Sequence, residues 1–374
     1  MPPSIRLAGI VSVVSLAIGL PTSSATAAEP SQVLTWNQIA LAAVERAKPT
    51  QHQAIRLLAH LSLAQHAALT ETAATDGNGD AVATASMRVI AELLPSQAVF
   101  VADRHLQSQA SVSDAGSRAA ERVLAQARSD GFAAPWNGAV PQGDQVWRSL
   151  ANPAAKPAYP AIGAMRMFFL PSGAAVRPAS PPGPESQQVL TDLAEVRQYV
   201  TQPTEATTRI AKFYDMTTGT LAGGFWNEQA AALLARSTVD DRQAATVLAT
   251  VNAAMMDALA ACHEAKYTYW VPRPSQADPS LKTIIGVPNH PSYPSNHSGL
   301  SAAAAQVLAH FFPSERPRLE ATATEAGLSR IYAGIHYRFD VDAGEQIGRK
   351  VAAAAVSGYA EMLARSTRTT VSGL

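Results

Sequence analysis

A long apolar stretch between Asp240 and Lys266 constrains the fold more than any other part of the chain. Apolar residues recur there at positions 244, 248, 251, 255, 259 and 262, in steps of three and four. Thr238 is the predicted N-cap of this helix, and acidic residues at 240 and 241 in its first turn favour the helix dipole. So long an apolar stripe must pack against other helices, and the helix carries Lys266 at its C-terminal end.

The rest of the chain favours helices as well. Aromatic residues make up only 6% of the 374 residues and alanine is abundant, which suits closely packed helices better than a β-sandwich. Helical spacing runs from Trp36 to about Gln126 and resumes at about Gln187. We therefore predict an all-α protein.

Prolines are dense between Ala134 and Pro184, which indicates an extended connection that could cover a face or rim a pocket. It is the predicted boundary between two regions of the mature chain. Residues 29–185 are predicted to form an N-terminal helical region that ends in the proline-rich connection, and residues 186–374 a catalytic helical core.

The N-terminus has the pattern of a secretory signal. Arg6 is followed by an apolar run from Leu7 to Leu20 and by small residues that end at Ala28. Residues 1–28 are therefore predicted to be a signal peptide, and the protein to be exported to the periplasm or secreted. No later apolar run approaches membrane-spanning length, so we expect no membrane span in the mature chain.

The charge balance limits the classes of binding partner, and the cysteine count limits the disulfides that can form. The chain has 29 basic and 29 acidic residues, so no overall field attracts nucleic acid, and we expect small-molecule partners. Cys262 is the only cysteine, which excludes an intrachain disulfide. The sequence leaves the oligomeric state open.

Three short segments in the last third concentrate cationic and histidine side chains. The first runs from Lys266 to Arg273 and Pro274 and reads K-x6-R-P. The second is Pro294-Ser295-Asn296-His297. The third joins Ser329 and Arg330 to His336 and Asp340 and reads S-R-x5-H-x3-D.

Such side chains suit an oxyanion. Lys266, Arg273 and Arg330 offer three positive charges to a phosphoryl-like group, and the guanidiniums can bind its oxygens bidentately. Ser295 stands just before a helical run, so the neighbouring backbone amides would form an open helix N-terminus, which favours anions.

The histidines provide the chemistry. If His336 and Asp340 lie one helical turn apart, the carboxylate fixes the imidazole tautomer, and His336 becomes a good nucleophile or vanadium ligand. His297 is then available as a general acid.

The three segments together resemble the signature of the superfamily of type 2 phosphatidic acid phosphatases and vanadium-dependent haloperoxidases, and the N-terminal helices are similar to those of its bacterial haloperoxidase-like branch. The resemblance implies a helical bundle of that type. It also implies that Lys266, Arg273, Ser295 and Arg330 bind the oxyanion, with Asn296 beside them. By the same resemblance His297 is the acid–base residue, His336 the phosphohistidine nucleophile or vanadium ligand, and Asp340 its support.

Three positions bear on the reaction. Asn296 stands where the family usually has glycine, and its Cβ could crowd the anion. His290 matches a position where algal bromoperoxidases carry histidine, which favours the peroxidase branch. His263 stands where characterised haloperoxidases tend to carry tryptophan, which favours the phosphatase branch. Both histidines are candidate halide or pocket residues.

Three functions follow as alternatives. The leading prediction is an acid phosphatase-like hydrolase of phosphate monoesters that needs no metal or other cofactor. The second is a haloperoxidase in which vanadate bound to His336 oxidises halide with hydrogen peroxide. The third is an inactive phosphate-binding protein.

Overall fold

The computed structural model describes residues 31–72, 78–150 and 155–367. Thirteen α-helices and four short 3-10 helices make up its regular structure, and these ranges contain no β-strand. The predicted all-α fold is thus confirmed. The predicted signal peptide, residues 1–28, lies outside the described residues.

Five helices form the N-terminal part of the chain. They are α1 (Gln32–Ala47), α2 (Gln51–Glu71), α3 (Asn78–Leu93), α4 (Ala98–Gln107) and α5 (Asp114–Arg128).

Eight helices follow the proline-rich connection. They are α6 (Gln187–Thr201), α7 (Glu205–Phe213), α8 (Leu221–Leu234), α9 (Asp241–Tyr269), α10 (Pro274–Ala277), α11 (Asn296–Phe311), α12 (Arg316–Tyr332) and α13 (Arg338–Thr367). The 3-10 helices are Pro95–Gln97, Ile162–Ala164, Gly173–Val176 and Pro313–Glu315.

The N-cap of helix α9 lies two residues after the predicted one. Asp240 is its N-cap, not Thr238, because the Asp240 carboxylate accepts the Gln243 N–H at 2.8 Å while the Gln243 side chain accepts the Asp240 N–H. This capping box satisfies two backbone donors at once.

Helix α9 is the centre of the bundle. It packs against α2, α11 and α13, and nearly all of its residues from 244 to 266 are buried. Within Asp241–Ala277 one window is long and apolar enough to cross a membrane, yet 94% of it is buried inside the protein. A core helix has this character, because it must be apolar on every side.

Helices α11 and α13 approach each other closely beside α9. A Cβ at Gly348 would lie 2.7 Å from Ala302 Cβ, and one at Gly344 would overlap the carbonyl oxygen of Ser295. Real side chains do not approach so closely, so the glycines allow this backbone separation. The contact places the N-terminal ends of both helices side by side.

The proline-rich connection contains two of the 3-10 helices and lies along the C-terminal half of α9. A Cβ at Gly173 would lie 2.9 Å from Ala261 Cα, so its backbone runs directly over that helix. The Tyr269 hydroxyl donates to Pro178 O at 2.9 Å, and the Tyr293 hydroxyl to Ala179 O at 2.7 Å. The connection therefore covers the end of α9 that carries the candidate site. The domain boundary at residue 185 stays a prediction.

Candidate active site

The last turn of α9 positions Lys266 inside the protein. Its side chain is fully buried, and Nζ donates to the carbonyls of Pro291, Ser292 and Pro294 at 2.8, 2.7 and 2.5 Å. Burial and the charge of Arg273 lower the pKa of Lys266. Three donated hydrogen bonds nevertheless require the ammonium form. Lys266 thus holds the loop that leads into α11.

Arg273, the N-cap residue of α10, reaches the third motif segment. Its Nη1 donates to Ile335 O at 2.8 Å and lies 2.9 Å from His336 Nε2. Its Nε and Nη2 contact His290 O and Nδ1, both at 3.1 Å. Burial lowers the pKa of Arg273 to about 10, so it stays charged at neutral pH.

His336 does not lie on the same helix as Asp340, as the spacing had suggested, because α13 begins only at Arg338. Its Nδ1 still lies 2.8 Å from Asp340 Oδ2, since Asp340 is the third residue of α13 and points back. The same oxygen accepts the Tyr337 N–H at 3.1 Å. An acidic residue at this position commonly caps a helix in this way.

The structure adds Ser292, which the sequence analysis did not single out. Its hydroxyl donates to Asp340 Oδ2 at 2.5 Å, and the residue is fully buried. Asp340 is also fully buried, and burial raises the pKa of its carboxyl. A lone serine in a loop carries no sequence signal of such a contact.

Ser295 joins the two neighbouring helices. It is the N-cap of α11, where its Oγ accepts the Ser298 N–H at 3.4 Å. Its own N–H donates to Asp340 O at 2.8 Å, which ties α11 to α13. The open N-terminus of α11 therefore lies beside His336 and Asp340, where its dipole favours an anion.

Arg330 approaches from α12. It is 2% exposed, and it donates to Ser329 Oγ at 2.9 Å and to Ala211 O at 3.3 Å. Burial lowers the pKa of Arg330 to about 10, and Asp215 opposes that shift. The guanidinium therefore stays charged.

His297 lies on the first turn of α11 and is partly exposed. Its Nε2 is buried and has no hydrogen-bond partner among the described residues. Burial and then the charge of Arg330 lower the pKa of His297, while a hydrogen bond to the Tyr214 backbone opposes them. A neutral imidazole with a free Nε2 is available for proton transfer.

His336 is neutral for related reasons. Burial first, and then the charges of Arg273 and Lys266, lower its pKa. With Nδ1–H donated to Asp340, the Nε2 lone pair faces Arg273. Nucleophilic attack or metal ligation requires this tautomer.

His263 and His290 line one side of this cluster, with ring centroids 5.5 Å apart. His263 Nε2 lies 3.2 Å from Asn296 Nδ2. Burial lowers the pKa of both histidines. The wall at this side is thus built of neutral polar rings.

The structure brings the three motif segments to one place. Lys266, Arg273 and Arg330 surround His336 and the start of α11, and the predicted pocket residues 263 and 290 lie at their side. The roles assigned to these residues remain predictions.

Comparisons with known proteins agree with this arrangement. Residues 244–361 match the PAP2 superfamily. A non-specific acid phosphatase of Salmonella typhi is 40% identical over 57 residues, which are 15% of this chain and 23% of that protein, so the match spans less than a quarter of its length.

The fold is similar over a longer range to solved structures. A bacterial vanadium-dependent iodoperoxidase superposes with a TM-score of 0.76 at 21% identity, covering 88% of this chain and 96% of that one. A bacterial vanadium-dependent chloroperoxidase, in its apo form, gives 0.69 at 14% identity, covering 83% and 93%. The predicted bundle type is confirmed. Residues 244–361 therefore form a PAP2 superfamily segment, and the fold that contains it is similar to that of bacterial vanadium-dependent haloperoxidases.

Proposed function

We propose that this protein is an exported enzyme that hydrolyses phosphate monoesters through a phosphohistidine at His336. One observation carries the proposal. His336 donates Nδ1–H to Asp340 at 2.8 Å, and its Nε2 lies 2.9 Å from Arg273 Nη1. A phosphoryl group bound to Arg273 would therefore lie next to a nucleophilic nitrogen. Export rests on the signal pattern of residues 1–28.

The first step would form a bond between Nε2 of His336 and phosphorus, while the bond from phosphorus to the ester oxygen breaks. His297 would give a proton to the departing alkoxide. Its pKa is low in the free protein, but the negative charge of a bound phosphate raises it toward the working range. In the second step water attacks phosphorus, His297 takes up its proton, and inorganic phosphate leaves with His336 restored.

Two observations support hydrolysis over halide oxidation. The wall beside the cations consists of His263, His290 and Asn296, whereas a halide site favours apolar and aromatic side chains. The sequence similarity to an acid phosphatase is a second support.

The experiment is hydrolysis of p-nitrophenyl phosphate by purified protein without vanadate. Rapid acid-free quenching and mass spectrometry should locate a phosphate on His336. His336→Ala should abolish turnover, whereas His310→Ala, the same change on the exposed end of α11, should leave it unchanged. Turnover that persists in His336→Ala would overturn the proposal.

A second candidate is vanadium-dependent halide oxidation. The fold similarity to haloperoxidases favours it, because it includes the N-terminal helices outside residues 244–361. The residues fit vanadate, with the Nε2 lone pair of His336 as ligand, the guanidiniums of Arg273 and Arg330 available to its oxygens, and the buried charge of Lys266 beside them. Bound vanadate would supply activation of hydrogen peroxide. Bromination or iodination of a dye with peroxide and vanadate, without ester hydrolysis, would favour halide oxidation over phosphate monoester hydrolysis.

A phosphatase and a haloperoxidase would both turn over a substrate, whereas an inactive phosphate-binding protein would only bind the anion. Three buried cations make anion binding expected in each case. A rise of the melting temperature with phosphate, without turnover in either assay, would identify the binding protein.

A further inference from the structure

A pair of buried histidines extends from the candidate site into the N-terminal helices. His52, in the first turn of α2, lies with Nε2 2.8 Å from Nε2 of His263 on α9. The latter nitrogen lies 3.2 Å from Asn296 Nδ2 at the start of α11. Three helices thus contribute one side chain each to a continuous chain of contacts, the His52–His263–Asn296 array.

The hydrogens in this array are assigned from the amide nitrogen of Asn296, which faces His263. Asn296 Nδ2 is a donor, so His263 Nε2 is the acceptor and carries no proton. In this assignment His52 Nε2 also donates to that nitrogen, so the two donors share its one lone pair. His263 can keep both contacts only while it is neutral, because protonated Nε2 would be a third donor.

The surroundings keep the array neutral. Burial, and then the charge of Lys266, lower the pKa of His52 to about 3. Burial, and then His52 and Lys266, lower that of His263. His52, His263 and Asn296 are 9%, 0% and 8% exposed, so solvent does not replace a missing partner. The ring of Tyr159, from the proline-rich connection, stacks on His52 at 4.1 Å.

The array ends at the N-terminus of α11, the end of the helix that favours an anion. Asn296 is the first residue of that helix, and its amide orientation is held by His263 through Nδ2. Its Oδ1 is buried and has no partner among the described residues. Apolar side chains would fill the same volume without the cost of burying three polar groups, so packing alone does not explain these residues.

We propose that His52 is a positioning residue for the oxyanion site: by donating to His263 it fixes the acceptor that orients Asn296 at the N-terminus of α11. This inference rests on the proposed oxyanion site and deepens it. His52 lies outside the segment 244–361, so the superfamily segment alone would lack this support.

A double-mutant cycle tests the order of action. His52→Phe removes the donor but keeps a buried ring, and we expect about a 10-fold loss of inorganic phosphate affinity, as for other supporting partners. His52→Gln, which retains a donor, should recover most of it. In an Asn296→Gly background His52→Phe should change the affinity little, because the residue through which it acts is absent.

The matched control is His60→Phe. His60 lies two turns further along α2 and is also buried, but its Nε2 contacts Asp130 at 3.4 Å. This variant should leave phosphate affinity unchanged. Equal loss in both Phe variants, or the same loss with and without Asn296, would overturn the positioning role.

Nitrogen NMR of histidine-labelled wild-type protein keeps the test independent of how well the variants fold. Neutral His52 should carry its proton on Nε2 and His263 on Nδ1, and added phosphate should shift the His263 signals but not those of His60. A protonated His263 Nε2 would refute the assignment. Absence of any phosphate binding in the wild type would instead refute the oxyanion site itself.

Discussion

Gly344→Ala should damage both stability and activity, because Gly344 lies where α13 meets the N-terminus of α11. A Cβ there would overlap Ser295 O and lie 3.0 Å from Ser298 Cβ and 3.2 Å from Gly299 N. The Ser295 carbonyl belongs to the helix backbone and cannot rotate away. Helices α11 and α13 must therefore separate by about 1 Å to restore ordinary contact distances.

Two terms set the size of the effect. Overpacking of a closely packed contact costs about 1–3 kcal/mol. Alanine in a helix interior recovers about 1 kcal/mol relative to glycine. We expect a net loss of up to about 2 kcal/mol in the free energy of unfolding. Because Asp340 and Ser295 lie on the two separating helices, turnover should fall by about 100-fold.

Gly358→Ala is the matched control on the same helix. Its Cβ would meet only Phe169 Cδ1, at 3.7 Å, which is an ordinary contact. This variant should gain the helix propensity of about 1 kcal/mol without any overpacking, so the two variants should differ in free energy of unfolding by the overpacking cost of about 1–3 kcal/mol. Urea denaturation followed by circular dichroism measures the difference, and p-nitrophenyl phosphate hydrolysis measures turnover. A Gly344→Ala protein as stable and active as Gly358→Ala would refute the close-contact reasoning.

Three further predictions concern the charged and titrating groups. Asp340→Asn should lower kcat by about three to four orders of magnitude in steady-state kinetics, because an amide does not hold His336 in the tautomer with a free Nε2, and wild-type kcat would contradict this. Lys266→Met should unfold at lower urea concentration and lose phosphate affinity by calorimetry, because three buried carbonyls lose their donor; unchanged stability would argue against this role. The free energy of unfolding should decrease as the pH falls below about 6.5. Below that pH the unfolded chain protonates histidines whose pKa is lowered by burial in the native state, as the pKa of His52 is to about 3. Each such histidine contributes about 1.4 kcal/mol per pH unit, so urea titrations at pH 7 and pH 5 should show a shallower loss in His52→Gln, and an equal slope would contradict the assignment.

Local sequence signals predicted the helices well and the cap of α9 less well. Spacing of apolar residues reports burial, which dominates helix formation here, whereas Thr238 and Asp240 both have capping side chains. The reciprocal contact of Gln243 decides between them. His336 was placed on a helix because its spacing to Asp340 is four, but a side chain that points back from the third helical position gives the same pairing.

Contacts between segments distant in the chain could not be predicted from the sequence. Nothing local marks Ser292 as a partner of Asp340, or His52 as a partner of His263 across 211 residues. The cations show the same limit. The residue types at these positions predicted a cluster of positive charge. They did not predict that the ammonium group of Lys266 would donate all its hydrogen bonds to backbone carbonyls.

The N-terminal helices are part of the catalytic architecture for a physical reason. One apolar cluster runs from Val33 on α1 through α2 and α9 to Leu363 on α13, so the two predicted regions share a core. The helix α2 that buries one face of α9 is also the helix that brings His52 to His263. A chain reduced to residues 244–361 would expose that face and leave His263 without its donor. The additional helices therefore both complete the core and supply polar support on the side of the site where Asn296 replaces the usual glycine.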